Sequence, residues 1–235
     1  MDAGSWEWLW KWSLEPSIWI GVAALVGGYL LARGPWRARF RDAQPVSRAQ
    51  TILFLVGAIV LLIALVSPLD EISDYYLFSA HMVQHLLLTL VAPPLLLIGT
   101  PGWMLRPFLG YKAIAAPARV LTMPLVAFAL FNLDFMIWHV PALYEATLEN
   151  PGIHIVEHLL FIGTALLNWW PILSPLKELP RLPYPAQILY LFLDAVPSTV
   201  LGGILVFAPT VLYATYEAAP RIFGISAPDD QLFAG

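Results

Sequence analysis

The sequence predicts an all-α, polytopic bundle of transmembrane helices, and three observations carry that prediction. Hydrophobic residues make up 59% of the 235-residue chain and charged residues only 12%, whereas a soluble domain is about a quarter charged. The apolar residues gather into six stretches near 17–33, 49–66, 76–98, 119–138, 153–173 and 187–208, each close to the ~20 residues that cross a hydrocarbon core. The connections between these stretches alternate in charge. The chain therefore reads as one transmembrane domain over 1–235, threaded six times through a lipid bilayer.

In chain order, the first sixteen residues hold Trp6, Trp8, Trp10 and Trp12, the composition of a headgroup-level aromatic belt. They lack the basic-then-apolar order of a cleavable signal peptide. The loop after the first span carries Arg33, Arg37, Arg39, Arg41 and Arg48; the loop after the second carries Asp70, Glu71 and Asp74. The third span contains HMVQH (His81, Met82, Gln84, His85) and then Pro93-Pro94, which should bend or break it, because proline removes an amide donor and crowds the preceding turn. Arg106, Lys112 and Arg119 follow. The fourth span carries Asp134 and Met136 and ends at His139, ahead of Glu145 and Glu149. The fifth opens with HIVEH (His154, Glu157, His158) and leads to Lys177 and Arg181. The sixth holds Asp194, Pro197 and Gly202-Gly203, with Asp229, Asp230 and Gln231 beyond it.

Ten of the twelve basic residues fall in three alternate loops. The positive-inside rule places those loops in the cytoplasm and both termini outside. The same threading brings all five histidines to one level, at the extracytoplasmic ends of spans three, four and five. Polar groups in membrane helices are costly and commonly mark function. Histidines four apart share a helical face, so two such pairs on neighbouring helices can present four imidazoles to one space.

Imidazoles with a carboxylate make a metal-binding set, suited to copper, zinc, iron or nickel, and a thioether from Met82 or Met136 would favour Cu(I). The metal ligands expected from the residues are His81, His85, His139, His154, His158 and Glu157. Gln84, Asp134, Met82, Met136 and Asp194 are expected around them or in helix–helix hydrogen bonds; Asp134 could orient His139 or serve a structural bond. With no cysteine, thiolate sites and disulfides are excluded, and a net charge of −4 gives no nucleic-acid signature. Three alternatives stay open. Two facing histidines could hold a haem iron, the histidines could simply bond helix to helix in a scaffold, and HIVEH matches a zinc-peptidase pattern, though without the soluble scaffold expected of it.

The ordered runs HMVQHLLLTLVAPPLLLIGTP, WHVPALYEATLENPGIHIVEHLLF, NWWPIL and DQLFAG, over roughly residues 50–235, resemble the multi-pass CtaG family of assembly factors for caa-type cytochrome c oxidase. The resemblance implies a bacterial plasma-membrane protein, not an enzyme, that helps mature a haem-copper oxidase, with oxidase subunits as partners and copper as the metal handled. By motif it carries over His81, His85, His139, His154, Glu157 and His158, and also Asp230 and Gln231. It further implies a seventh span opening at the DQ pair, of which this sequence includes four residues past Gln231; without that span one flank of the histidine site would lie open to lipid or to a partner.

Overall fold

The computed structural model describes residues 10–235; Trp6 and Trp8 of the expected belt lie outside the described residues, while Trp10 and Trp12 are exposed. Among the described residues the chain is helical with no strand. Five helices are long and apolar enough to cross a membrane, or six if one bent pair counts as a single span. They are α1 (Pro16–Arg33), α2 (Arg48–Val66), the broken helix made of α4 (Phe78–Leu86) and α5 (Ala92–Gly99), α10 (Pro151–Leu173) and α11 (Tyr184–Phe207). The bent pair is α7 (Lys112–Leu121) with α8 (Pro124–Trp138).

Local signals set these boundaries. Ser47 and Gln50 form a reciprocal capping box at the start of α2, satisfying amides that no preceding turn can reach. Asn150 accepts from the amides of Gly152 and Ile153 at the start of α10, where Pro151 needs no amide partner. Proline also explains a difference from the sequence reading. The stretch near 119–138 is not one straight helix: Pro124 holds Met123 extended (φ −61°, ψ 133°), as the residue before proline prefers, so residues 119–121 close α7 and the chain turns by 77° before α8.

In span three the departure from α-geometry comes one turn ahead of Pro93-Pro94, as a π-helical turn at Leu87–Val91. A wide turn leaves carbonyls short of partners, which hydrocarbon cannot supply. Here side chains supply them. The Thr89 hydroxyl donates to the His85 carbonyl (2.7 Å), and the Trp169 indole donates to the Thr89 carbonyl (2.9 Å).

The segments read as acidic loops are partly helical: α3 (Pro68–Tyr75) sits between α2 and α4, and α9 (Pro141–Glu149) between α8 and α10. Short α6 (Gly102–Leu105), α12 (Ala214–Ala218) and α13 (Ala227–Ala234) complete the fold. The α2–α5 seam is close: a Cβ on Gly99 would meet the Phe54 nitrogen at 2.6 Å. Tyr29 stacks on Phe54 (3.8 Å between ring centres) and donates to the Gly99 carbonyl (3.0 Å), which ties α1 to that seam. A second apolar cluster, around Phe78, Tyr144, Tyr213 and Tyr216, packs beside the histidines.

Candidate metal centre

Helices α4 and α10 place their histidine pairs in register. His81 faces His154 (ring centres 5.8 Å apart) and His85 faces His158 (5.9 Å). The result is two rungs, each with one imidazole from either helix. Because both pairs are spaced by four residues they share a helical face, and the ring centres within each pair are 4.2 Å apart. Glu157 enters between them and is fully buried. Its two oxygens point to different rungs: Oε1 lies 3.8 Å from His85 Nε2, and Oε2 lies 3.9 Å from His154 Nε2.

Hydrogen bonds fix the imidazole tautomers. The Ser73 carbonyl can only accept, so the Tyr216 hydroxyl proton goes to it (2.6 Å). Tyr216 must then accept from His81 Nδ1 at 3.1 Å, which leaves His81 Nε2 bare. His85 Nε2, 2.8 Å away, donates into that lone pair, and His85 Nδ1 is left bare. Asp74 lies 3.5 Å from His154 Nδ1 and 4.0 Å from His81 Nδ1. A carboxylate behind the far nitrogen is how metal-binding histidines are commonly oriented.

Six buried side-chain nitrogen or oxygen atoms among the described residues have no hydrogen-bond partner. Five of them converge here: His85 Nδ1, His154 Nε2, His158 Nε2 and both oxygens of Glu157. Leaving one such atom unpaired costs about 1–3 kcal/mol. Five together, all lone-pair donors by residue type, fit a cation. They form two triads, His81–His154–Glu157 and His85–Glu157–His158, whose ligand atoms lie within 4.8 Å of one another. An adjoining cavity of about 330 Å³, with Asp70, Asp74, His154 and His158 in its wall, leads to the first rung. Burial raises both aspartates to about 7, so each carries a proton more readily than an exposed carboxylate.

The other residues singled out from sequence fall into place around this centre. His139 stands beside His85 (ring centres 6.0 Å) but in neither triad. Its Nδ1 donates to the Phe135 carbonyl (2.7 Å), so its Nε2 is bare and faces the Met82 sulfur at 3.5 Å. With no hydrogen between them, that contact is two soft donors side by side rather than a hydrogen bond. Met136 packs in the Tyr-rich cluster instead. Gln84 donates to the Ala64 carbonyl and to Asp70 (both 2.8 Å). Asp134 does not orient His139; it accepts from Trp138 Nε1 (2.8 Å) and the Thr164 hydroxyl (2.9 Å). Asp194 accepts from Asn132 (2.8 Å) and Asn168 (2.7 Å), joining α8, α10 and α11.

Asp230 accepts from the amides of Phe78 (2.7 Å) and Ser79 (3.0 Å) and from the Ser79 hydroxyl (2.5 Å). It thereby caps the helix that carries His81 and His85. Gln231 accepts from the Leu212 amide (2.7 Å) and donates to the Leu205 and Thr210 carbonyls (3.2 Å each). Sequence reasoning missed Asp74, Ser73 and Tyr216 as neighbours of the imidazoles. The available signal was the acidic run of α3, only seven residues before His81; Tyr216 gave none.

The model of the cytochrome c oxidase caa3 assembly factor family, Caa3_CtaG, matches residues 27–235. Two uncharacterized mycobacterial proteins, one from Mycobacterium bovis and one from Mycobacterium tuberculosis, are each 25% identical over 196 residues, covering 77% of this chain and 29% of their own length. The chain thus spans under a third of the curated relatives it matches. No solved structure matches it.

Proposed function

The chain belongs to the cytochrome c oxidase caa3 assembly factor family, and from that premise we propose that it binds copper in transit through the paired-histidine centre and hands it to an oxidase subunit. Copper is cargo here, and no bond of a substrate need be made or broken. The observation that carries the reading is the gathering of five buried, unpartnered nitrogen and oxygen atoms on three histidines and the carboxylate of Glu157, residues that fall into two triads. A scaffold whose histidines only bond helix to helix would pair those atoms with one another or with backbone.

Neutral imidazoles beside the Met82 thioether suit a monovalent soft ion, and the absence of thiolates suits exchangeable rather than very tight capture. The alternating loop charges support a plasma-membrane threading with the centre on the extracytoplasmic side. Packing favours an ion over a haem: the fully buried Glu157 enters among the facing imidazoles, in the space a macrocycle between them would need. Glu157 faces imidazoles on both sides, a ligand's position more than a water-activating base's.

The test is element analysis of the detergent-purified protein beside an absorbance scan. Wild type should load copper and show no Soret band, and His81→Ala with His158→Ala should abolish loading while gel filtration still gives a monodisperse peak. Equal copper in both proteins would remove the ligand assignment; a Soret band would replace copper with haem.

A further inference from the structure

We propose that the centre holds two metal ions rather than one, a rung for each, with the Glu157 carboxylate bridging them. This rests on the metal-binding reading above and adds to it the number of ions and the role of the carboxylate.

The donors meet as two triads that share only Glu157. Bonds from a metal to imidazole or carboxylate run about 2.0–2.2 Å, so one ion cannot hold atoms much more than about 4.4 Å apart, and although His81 Nε2 and His85 Nε2 approach to 2.8 Å across the rungs, the donor atoms gather within 4.8 Å only as these two separate triads. The carboxylate is already split between them, one oxygen 3.8 Å from His85 Nε2 and the other 3.9 Å from His154 Nε2. A carboxylate ligating a single ion would turn both oxygens, or one, to one rung. Bridged pairs elsewhere sit about 3.5–4 Å apart, a spacing reached when each ion settles on the Glu157 side of its rung.

Tautomers make the second rung usable: moving the proton of His85 from Nε2 to its bare, unpartnered Nδ1 frees Nε2 as a ligand with no net loss of a proton.

The experiment is an anaerobic titration of the detergent-purified full chain with Cu(I) against a chromogenic chelator, followed by X-ray absorption on the loaded sample. Wild type should bind two ions per chain and show a copper–copper vector near 3.5–4 Å. His154→Ala and His158→Ala should each retain one ion and lose that vector, and Glu157→Gln should weaken the second ion at least tenfold. A single ion in wild type, or two ions with no vector and no response to Glu157→Gln, would overturn the bridge while leaving metal binding intact. No bound copper would overturn both. Should the variants fail to fold, ion count and vector in wild type decide the matter alone.

Discussion

Replacing Asp230 with alanine tests whether the C-terminal helix holds the histidine helix in place. The carboxylate is buried and accepts from two backbone amides and one hydroxyl at the first turn of α4. Hydrogen bonds to a charged group contribute about 1.5–3 kcal/mol, and loss of a cap costs about 0.5–2 kcal/mol. The contacts act as a unit, so a joint loss of about 3 kcal/mol is expected. For a chain of this size each kcal/mol moves the melting point by about 2–4 °C, which gives a fall of roughly 6–12 °C. Ser79 lies only two residues before His81, so fraying of this turn should also loosen the first rung. Tryptophan-fluorescence melts of metal-free protein in detergent, with copper retention measured on the same samples, provide the assay. Asp230→Asn keeps one acceptor oxygen and should fall between wild type and Asp230→Ala. An Asp230→Ala protein that melts within a degree or two of wild type and holds its copper as long would refute the capping argument.

Three more expectations follow from the same geometry. Met82→Leu keeps the volume but removes the sulfur beside His139 Nε2, so Cu(I) should bind several-fold more weakly while Zn(II), indifferent to a thioether, binds as before; an equal loss for both ions would point to packing instead. Asp194→Ala leaves the amides of Asn132 and Asn168 without their acceptor and should destabilise the bundle by about 2–4 kcal/mol with copper stoichiometry unchanged, so a metal defect at unchanged stability would assign Asp194 to the site. Asp70 titrates near 7 in the fold and near 4 when unfolded. Its folded-state proton therefore contributes stability that is full below about 4 and lost as pH rises through about 7. Asp70→Asn, which mimics the protonated acid, should gain melting temperature relative to wild type at pH 8 compared with pH 5, and comparing the two proteins cancels the other titrating groups. A pH-independent difference would show the shift to be absent.

Much of this architecture is legible in the sequence because hydrocarbon is an unforgiving solvent. A helix must close its own hydrogen bonds and show apolar residues to lipid, so each long apolar stretch marks a helix within a few residues. The histidine pairs were legible for a related reason: spacing of four fixes a common face whatever the neighbours are. What depends on contacts between distant segments was not. Nothing local in Pro68–Tyr75 says that Asp74 will sit behind His81 and His154, because that depends on how α3 folds back between α2 and α4. Tyr216 arrives from 135 residues further on. Asp230 reads from sequence as a polar residue of uncertain use, and only its partners at Phe78 and Ser79 reveal the cap. The bend ahead of α8 was signalled by Pro124, but hydropathy averages over the two residues where the chain turns.

The π-helical turn at Leu87–Val91 has a mechanical corollary. One residue more or less in a helix rotates everything beyond it by about 100°. Above this turn the imidazoles aim at α10, and below it Gly99 aims at Phe54 on α2. The two azimuths are set independently, with the wide turn as the offset between them. A single-residue deletion there would restore uniform winding but misalign one end: either the imidazoles would swing toward the acyl tails or the glycine contact would unmesh. Span three is keyed at both ends, and its length in residues decides where the paired histidines face as much as their own spacing does.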